Sequence, residues 1–287
     1  MVCFIILHYM VIEETLSCVE NIKSIEGNKK IIIVDNNSSN GSGKQLEDLY
    51  RDDYDINVIL NDTNDGFARG NNIGCKFAKN KYSPEFYVVM NNDIEICQKD
   101  FINRITQIWE SEHYDVLGPD IYSTTGEFHQ SPKILEKITI EKAKQLQKKY
   151  WKKVNSKVVV PLRCCLKQIK ILKLIYNKKR NINKHIDYQK THYNVPLHGS
   201  CFIFSRKFVE GRKEVFFPGT FFYFESEILD FECQKEGWKV VYHPSIYVLH
   251  HQNVSTNIVY SNELKKVRFM NQQNYNSISA FLEEFDG

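Results

Sequence analysis

Two acidic positions in this chain follow directly on apolar runs that read as buried strands. Ile31-Ile32-Ile33-Val34 ends in Asp35, and Phe86-Tyr87-Val88-Val89-Met90 ends in Asn91-Asn92-Asp93. Polar groups at the carboxyl ends of buried strands mark the ligand crevice of an open α/β sheet. At such a position Asp35 can accept a hydrogen bond from a pyrimidine N3–H or a ribose hydroxyl. It can equally cap the next helix, since Asp, Asn and Ser all cap well. Asp93 and Asn91 offer a carboxylate and an amide oxygen, which suit Mg²⁺ or Mn²⁺. A divalent cation there would balance the charge on a bound diphosphate. The bland reading is a strand-ending turn.

Three further groups stand out. Asn64-Asp65-Gly66-Phe67-Ala68-Arg69-Gly70-Asn71-Asn72 is a glycine- and amide-rich turn entering a helix. Gly66 and Gly70 allow close backbone approach, Arg69 can face a diphosphate, and a helix N-terminus adds favourable amides. The same pattern serves as a loop-to-helix cap with Phe67 packed beneath it. Tyr223-Phe224-Glu225-Ser226-Glu227 follows the aromatic stretch Phe216–Phe222 at a helix start. Aromatic surroundings raise a carboxyl pKa by desolvation, which suits a general base. Acids also favour the first helical turn for dipole reasons alone. His250-His251 closes an apolar strand, where a histidine completes a metal site, binds phosphate, or makes a structural hydrogen bond.

These groups need a scaffold, and the periodicity supplies one. Strands are expected at residues 2–9, 30–35, 56–60, 86–90, 115–118, 201–204, 239–242 and 246–250. Helices are expected near 13–25, 69–79, 99–112, 225–236 and 261–284. Strands alternating with helices indicate βαβ units and a largely parallel sheet. Right-handed crossovers line the strand ends along one crevice.

The chain has 287 residues, a net charge of +3 and 42% hydrophobic residues, enough for one large α/β domain with an appendage. The average charge hides an asymmetry. Between Lys133 and Lys190 there are eighteen Lys and Arg against three acidic residues, with Pro161 interrupting a mostly helical pattern. That segment reads either as a solvated helical hairpin or as a docking face for an anionic membrane surface, with Trp151 and interleaved Leu and Ile in the interface. Nucleic acid is the poorer fit, because no recognised nucleic-acid motif accompanies the charge. The eight cysteines are scattered without a C-x-x-C pair, and Cys164-Cys165 are adjacent, so reduced thiols in the cytoplasm are expected. The apolar start, Val2 to Leu7, is read as a strand and not a signal peptide. No stretch approaches the ~20 apolar residues of a membrane span.

Taken in order, the Ile-Leu-His-Tyr, Ile-Val-Asp-Asn-Asn-Ser, Asn-x-Gly-Phe-Ala-x-Gly-Asn-Asn-x-Gly and Met-Asn-Asn-Asp runs resemble a family-2 glycosyltransferase with a GT-A fold. So do His198-Gly199-Ser200-Cys201, Thr-Phe-Phe-Tyr-Phe-Glu, the Gly237-Trp-Lys-Val-Val-Tyr-His-Pro run and Val-Leu-His250-His. The likeness covers most of 2–130 and 195–256, and is nearest in flavour to rhamnosyl-, galactofuranosyl- and glucosyltransferases of bacterial surface polysaccharide (capsule or O-antigen) assembly. It implies an α/β GT-A domain whose residues 1–132 bind the nucleotide-sugar. A basic helical insertion would follow at 133–194, the acceptor and catalytic half at 195–260, and a C-terminal helix at 261–287.

The resemblance also implies roles. His8, Asp35, Asn37, Asn64, Gly66, Phe67, Arg69, Asn72 and Asn92 would surround the nucleotide-sugar, with Asp35 on the base. Asp93 matches the last acid of the family's D-x-D-type metal motif, with Asn91 at its first position and His250 near the diphosphate; the metal would be Mg²⁺ or Mn²⁺. His198, Gly199 and Ser200 would face the donor sugar and acceptor. Glu225 matches the first acid of the family's Glu-Asp pair, while the second position is Ser226, so the base is Glu225 or, with a shifted helix start, Glu227.

The implied reaction is a single inverting displacement from a UDP- or dTDP-linked sugar to a saccharide acceptor, such as one carried on a polyprenyl diphosphate at the inner face of the cell membrane. Two rivals are a sugar-nucleotide nucleotidyltransferase and a non-catalytic nucleotide-sugar-binding or scaffold protein. The first expects a Gly-rich basic signature where this chain has Leu7-His8-Tyr9-Met10. Ser226 and Asn91 keep the second open. The C-terminal helix, with Leu264, Val267, Phe269 and Met270, packs internally or joins a homodimer.

Overall fold

The structure, a computed structural model, describes residues 1–125, 128–133, 136–156, 186–251 and 263–287. Pro161, the Leu162–Tyr176 stretch and Ser255-Thr256 lie outside the described residues. In chain order the elements are β1 (Val2–His8), α1 (Ile12–Lys23), β2 (Lys29–Asp35), α2 (Ser42–Leu49), β3 (Ile56–Leu60), α3 (Gly66–Tyr82), β4 (Phe86–Asn91), β5 (Ile94–Ile96) and α4 (Phe101–Glu112). Then come β6 (Val116–Ser123), β7 (Phe128–His129), α5 (Ile140–Asn155), β8 (His192–Tyr193), β9 (Cys201–Ser205), α6 (Arg206–Gly211), α7 (Glu225–Glu236), β10 (Val240–His250) and α8 (Glu263–Phe285).

One sheet orders the strands β3-β2-β1-β4-β9-β6-β10-β5, with β7 on β6 and β8 on β10. β1, β2, β3 and β4 run parallel. β9 is antiparallel to both β4 and β6, so β6 and its parallel neighbour β10 point the same way as β4. The expected α/β class is the one found.

The unbroken apolar runs reflect burial on both faces, as parallel sheets require. Val2, Phe4, Ile6, Ile31, Ile33, Val88 and Met90 join one core with α1 and α4. The alternate residues Cys3, Ile5, Ile32, Val34, Tyr87 and Val89 join a second core with α3 and α7. Each such side chain contributes about 1.5–3 kcal/mol by burial. A third cluster holds Ile138, Ala143, Phe224, Ile228, Ile278, Phe281 and Leu282. It packs the 277–282 part of α8 within the chain against α5 and α7.

Several boundaries differ from the pattern. α2 falls in Asn-Gly-Ser-Gly chemistry that reads as turn, and it starts after Gly41 at φ 78°. α3 begins at Gly66, three residues early. β10 is one strand, because an irregularity between His243 and Tyr247 absorbs Pro244. Among the described residues no helix is long and apolar enough to cross a membrane.

Candidate functional site

Register sets the site. His8 pairs with Asp35 and Leu7 with Asn91, so the carboxyl ends of β2, β1 and β4 sit side by side. β9 enters antiparallel with Cys201 opposite Met90, which brings His198–Ser200 to the same edge. β10 ends there too, at His250. The Asn91 N–H donates to the Ser200 carbonyl (2.9 Å), joining the two halves.

Asp35 is buried and accepts from the Ser38 hydroxyl (2.5 Å) and the Ser38 N–H. It is not a helix cap: α2 starts later and Gly41 precedes it. A Cβ at Gly43 would meet Asp35 Oδ2 at 2.1 Å, so only glycine lets α2 approach the carboxylate this closely. His8 is wholly buried beneath, its nitrogens bonded to Thr15 Oγ1 (2.7 Å) and Ser42 Oγ (2.8 Å). Burial lowers its pKa below the usual 6.5 while Asp35 opposes. Asn92 donates to the same Thr15 hydroxyl (3.0 Å). His8 and Asn92 therefore brace the strand ends from below. Asn37, at φ 58°, donates to the Asp62 carbonyl (2.9 Å).

The glycine-rich turn is clipped to the aromatic stretch. Asn64 Oδ1 accepts from the Gly66 N–H (3.1 Å), and the Phe67 N–H donates to the Phe221 carbonyl (2.8 Å). Gly66 has φ +76°, and a Cβ there would lie 2.1 Å from that carbonyl oxygen. Gly70 packs on Leu7 and Asn36. Arg69 is exposed and donates through Nε to Pro218 O (2.9 Å). Asn72 donates to Phe216 O (2.7 Å) and accepts from Phe216 N (2.9 Å). Phe67 meets Phe216 edge-on. In this arrangement the close approaches and the first α3 amide are used by the protein itself, which fixes the loop that leads to Glu225.

Asp93 lies in the β4–β5 turn. Its Oδ1 is buried without a hydrogen bond and sits 3.3 Å from His250 Nε2. His250 Nδ1 faces Gln130 Oε1 at 2.7 Å. A proton on Nε2 or a cation held between Nε2 and Asp93 Oδ1 would satisfy both groups. His198 stands edge-on to His250, ring centroids 5.8 Å apart, and its Nδ1 accepts from Ser200 N (3.3 Å) beside the Ser200 hydroxyl (2.9 Å).

Glu225 and Glu227 open α7. Tyr223 and Phe224 before them have φ 69° and 75°, unusual for bulky residues and costing of order 1 kcal/mol each. The strain is held by α8: Ser277 Oγ donates to Phe222 O (3.1 Å), and Phe281 packs edge-on against Phe224. Glu225 Oε1 is buried with no hydrogen-bond partner among the described residues. Burial pushes its pKa up to about 7, Glu227 adds in the same direction, and Thr220 and Lys133 oppose. Burial acts on Glu227 too, but its ion pair with Lys133 and a bond from Ser226 Oγ (2.9 Å) hold its carboxyl below the usual range. A Cβ at Gly199 would come 4.0 Å from Ser226, so the 198–200 loop faces this helix start.

Comparison with known proteins agrees with this geometry. The profile of "Glycosyl transferase family 2" matches residues 3–230. The chain belongs to glycosyl transferase family 2. A curated relative, the low-salt glycan biosynthesis hexosyltransferase Agl10 of Haloferax volcanii, is 31% identical over 102 residues, 36% of this chain and 31% of the relative. Among solved structures, S. aureus TarS 1-349 in complex with UDP superposes with a TM-score of 0.53 at 13% identity, covering 86% of this chain and 60% of that one. The same fragment with UDP-GlcNAc gives 0.52 at 12% identity, covering 94% and 66%. The chain thus spans about a third of the curated relative and 60% of the first TarS fragment, and the shared GT-A fold is what these structures establish.

For a family-2 domain, the sequence reading passed over Gln130, Lys133 and Thr220. Gln130 and Lys133 follow a strand of two residues and carry no periodic signal; only the chain path brings them to His250 and Glu227. Among the described residues, no three His, Cys, Asp or Glu side chains gather as a ready metal cage. A two-ligand platform still fits Mg²⁺ or Mn²⁺, which take one or two carboxylates and complete their shells with phosphate and water. The orphaned Asp93 oxygen opposite His250 is the observation that fits them.

Proposed function

We propose that the chain is an inverting glycosyltransferase that moves a sugar from a nucleoside-diphosphate sugar to a saccharide acceptor. One observation supports the reading: Asp35 and the Asp93–His250 pair lie at the carboxyl-end edge of the sheet, where the 198–200 loop faces the helix start that carries Glu225 and its buried oxygen without a hydrogen bond. Asp35 would receive the base, and the 198–200 loop would face the sugar. Asp93 and His250, with Asn91 beside them, would hold the divalent cation, which supplies positive charge at the departing diphosphate. Glu225 takes the proton of the acceptor hydroxyl. That oxygen attacks the anomeric carbon while the bond to the diphosphate breaks on the opposite face. Positioning and leaving-group electrostatics carry most of the acceleration.

UDP is the first nucleotide to test, because TarS of the same fold is described with UDP and UDP-GlcNAc; dTDP is the second. The relative named for glycan biosynthesis supports a cell-surface glycan as product. A lipid-linked acceptor and a place on an anionic membrane fit α5, which exposes Lys144, Lys148, Lys149, Trp151 and Lys152 on one side. Each such cation near anionic lipid adds about 1 kcal/mol.

The test is a thermal-shift series with UDP, dTDP, GDP and CDP, each with and without Mn²⁺, followed by UDP release from UDP-sugars. A metal-dependent rise with one nucleotide supports the reading by mass action. Folded protein that responds to none of them argues against it.

A further inference from the structure

The start of α7 places two partly buried acids in one turn and treats them differently. Glu225 keeps an unpartnered oxygen. Glu227 has both oxygens engaged, one by Lys133 and one by Ser226 Oγ. Lys133 comes from a distant part of the chain, and its backbone N–H is tied to the Pro196 carbonyl (2.9 Å) just before the 198–200 loop. Ser226 occupies the position where the family pattern has its second acid, and here it serves Glu227. The charged groups that face these acids are Lys133 from the segment after β7, and Asp230 from the next turn of α7. Asp230 is itself beside Lys137 and Gln234.

Two carboxylates buried together cannot both ionise freely unless one is compensated. We propose that Lys133 and Glu227 act as positioning residues for Glu225: their ion pair fixes the charge on Glu227 and leaves Glu225 as the single group of the three that exchanges a proton. In the transfer step the acceptor O–H bond breaks and its proton goes to Glu225. The new oxygen–carbon bond forms as the carbon–phosphate-oxygen bond breaks, and that electron pair leaves with the diphosphate. Lys133 keeps its protons throughout. Without Lys133, Glu225 and Glu227 would share one proton and the base would be occupied at neutral pH. Without Glu227, Lys133 would be free to pair with Glu225 and weaken it as a base. This inference rests on Glu225 being the base, but the coupling is measurable without turnover.

The experiment follows Glu225 by ¹³Cδ-glutamate NMR in the full chain, with Glu225→Gln assigning the resonance. Lys133→Met, Glu227→Gln and the double variant are then titrated. The Glu225 midpoint is expected near 7 in the unaltered protein. It should move up by about one pH unit in Lys133→Met, move down in Glu227→Gln, and return toward the starting value in the double variant. The acid limb of kcat/KM for donor turnover should follow the same order. Lys133→Arg keeps the charge and should keep the midpoint; it and Glu227→Gln carry the test if Lys133→Met does not fold. A Glu225 midpoint that stays fixed in the variants overturns the inference, as does a Lys133→Met loss of activity that is equal at every pH. Shifted midpoints without turnover of any donor would uphold the coupling and sink the transferase reading instead.

Discussion

Replacing Glu225 with Gln should remove turnover and, at the same time, make stability less dependent on pH. A buried acid whose pKa rises on folding opposes folding once it must ionise. The penalty is absent below the unfolded value, grows through the interval, and is complete above the folded value. For Glu225 the interval runs from 4.5 to about 7. With about 1.4 kcal/mol per pH unit, the two-state linkage expression gives a penalty of about 0.8 kcal/mol at pH 5 and about 3.3 kcal/mol at pH 8. Gln does not ionise, so it escapes the difference of about 2.5 kcal/mol. Any fixed effect of the amide, such as its own unmet hydrogen bonds, is the same at both pH values and cancels. An unfolding entropy of about 2.1 cal/mol/K per residue gives about 0.6 kcal/mol/K for this chain. The variant should therefore gain about 4 °C in Tm over the unaltered protein between pH 5 and pH 8. Differential scanning calorimetry of both proteins at the two pH values reads this directly. Turnover should fall by about 10²–10⁴, while the nucleotide-dependent thermal shift remains. A Tm difference that is identical at pH 5 and pH 8 would refute a Glu225 that titrates near neutrality.

Four further outcomes are expected. Asp93→Ala and His250→Ala should each remove the Mn²⁺ dependence of the UDP-induced thermal shift while leaving the metal-free shift in place; isothermal titration with Mn²⁺ checks this. Gly66→Ala should destabilise by about 2 kcal/mol or more, since its Cβ would meet the Phe221 carbonyl at 2.1 Å at a positive φ; urea unfolding measures it. Phe281→Ala should cost about 3–5 kcal/mol and lower kcat beyond what the folded fraction explains, because Phe281 backs the strained Phe224. Lys148, Lys149 and Lys152 changed together to Glu should abolish sedimentation with phosphatidylserine vesicles. The unaltered protein should sediment at low salt and release as ionic strength rises.

The strands and their polar ends were legible because burial on both faces of a parallel sheet leaves unbroken apolar runs, and because a side chain following such a run must lie at the sheet edge. Ile31–Val34 with Asp35, and Phe86–Met90 with Asp93, show this without any knowledge of the chain path. α2 escaped because its Asn, Gly and Ser residues favour turns locally, and it forms only after the left-handed Gly41. β10 read as two strands because Pro244 breaks the local pattern, although an irregular pairing with β6 carries the strand past it.

The sequence by itself determined the α/β class, the order of the longer strands and helices and the residue types available at the strand ends, since each follows from periodicity within a few positions; α2, β5, β7, β8 and α6 did not show in it. Only the tertiary structure decided what those residues do for one another. Asn72 and Arg69 hold the 216–221 loop, Gln130 bonds His250, and Lys133 pairs with Glu227 while one oxygen of Glu225 is left without a hydrogen bond. Such partners are separated by up to 149 residues, and hydrogen bonds and ion pairs over that span depend on how the chain returns to the sheet edge. Local sequence pattern does not encode that return.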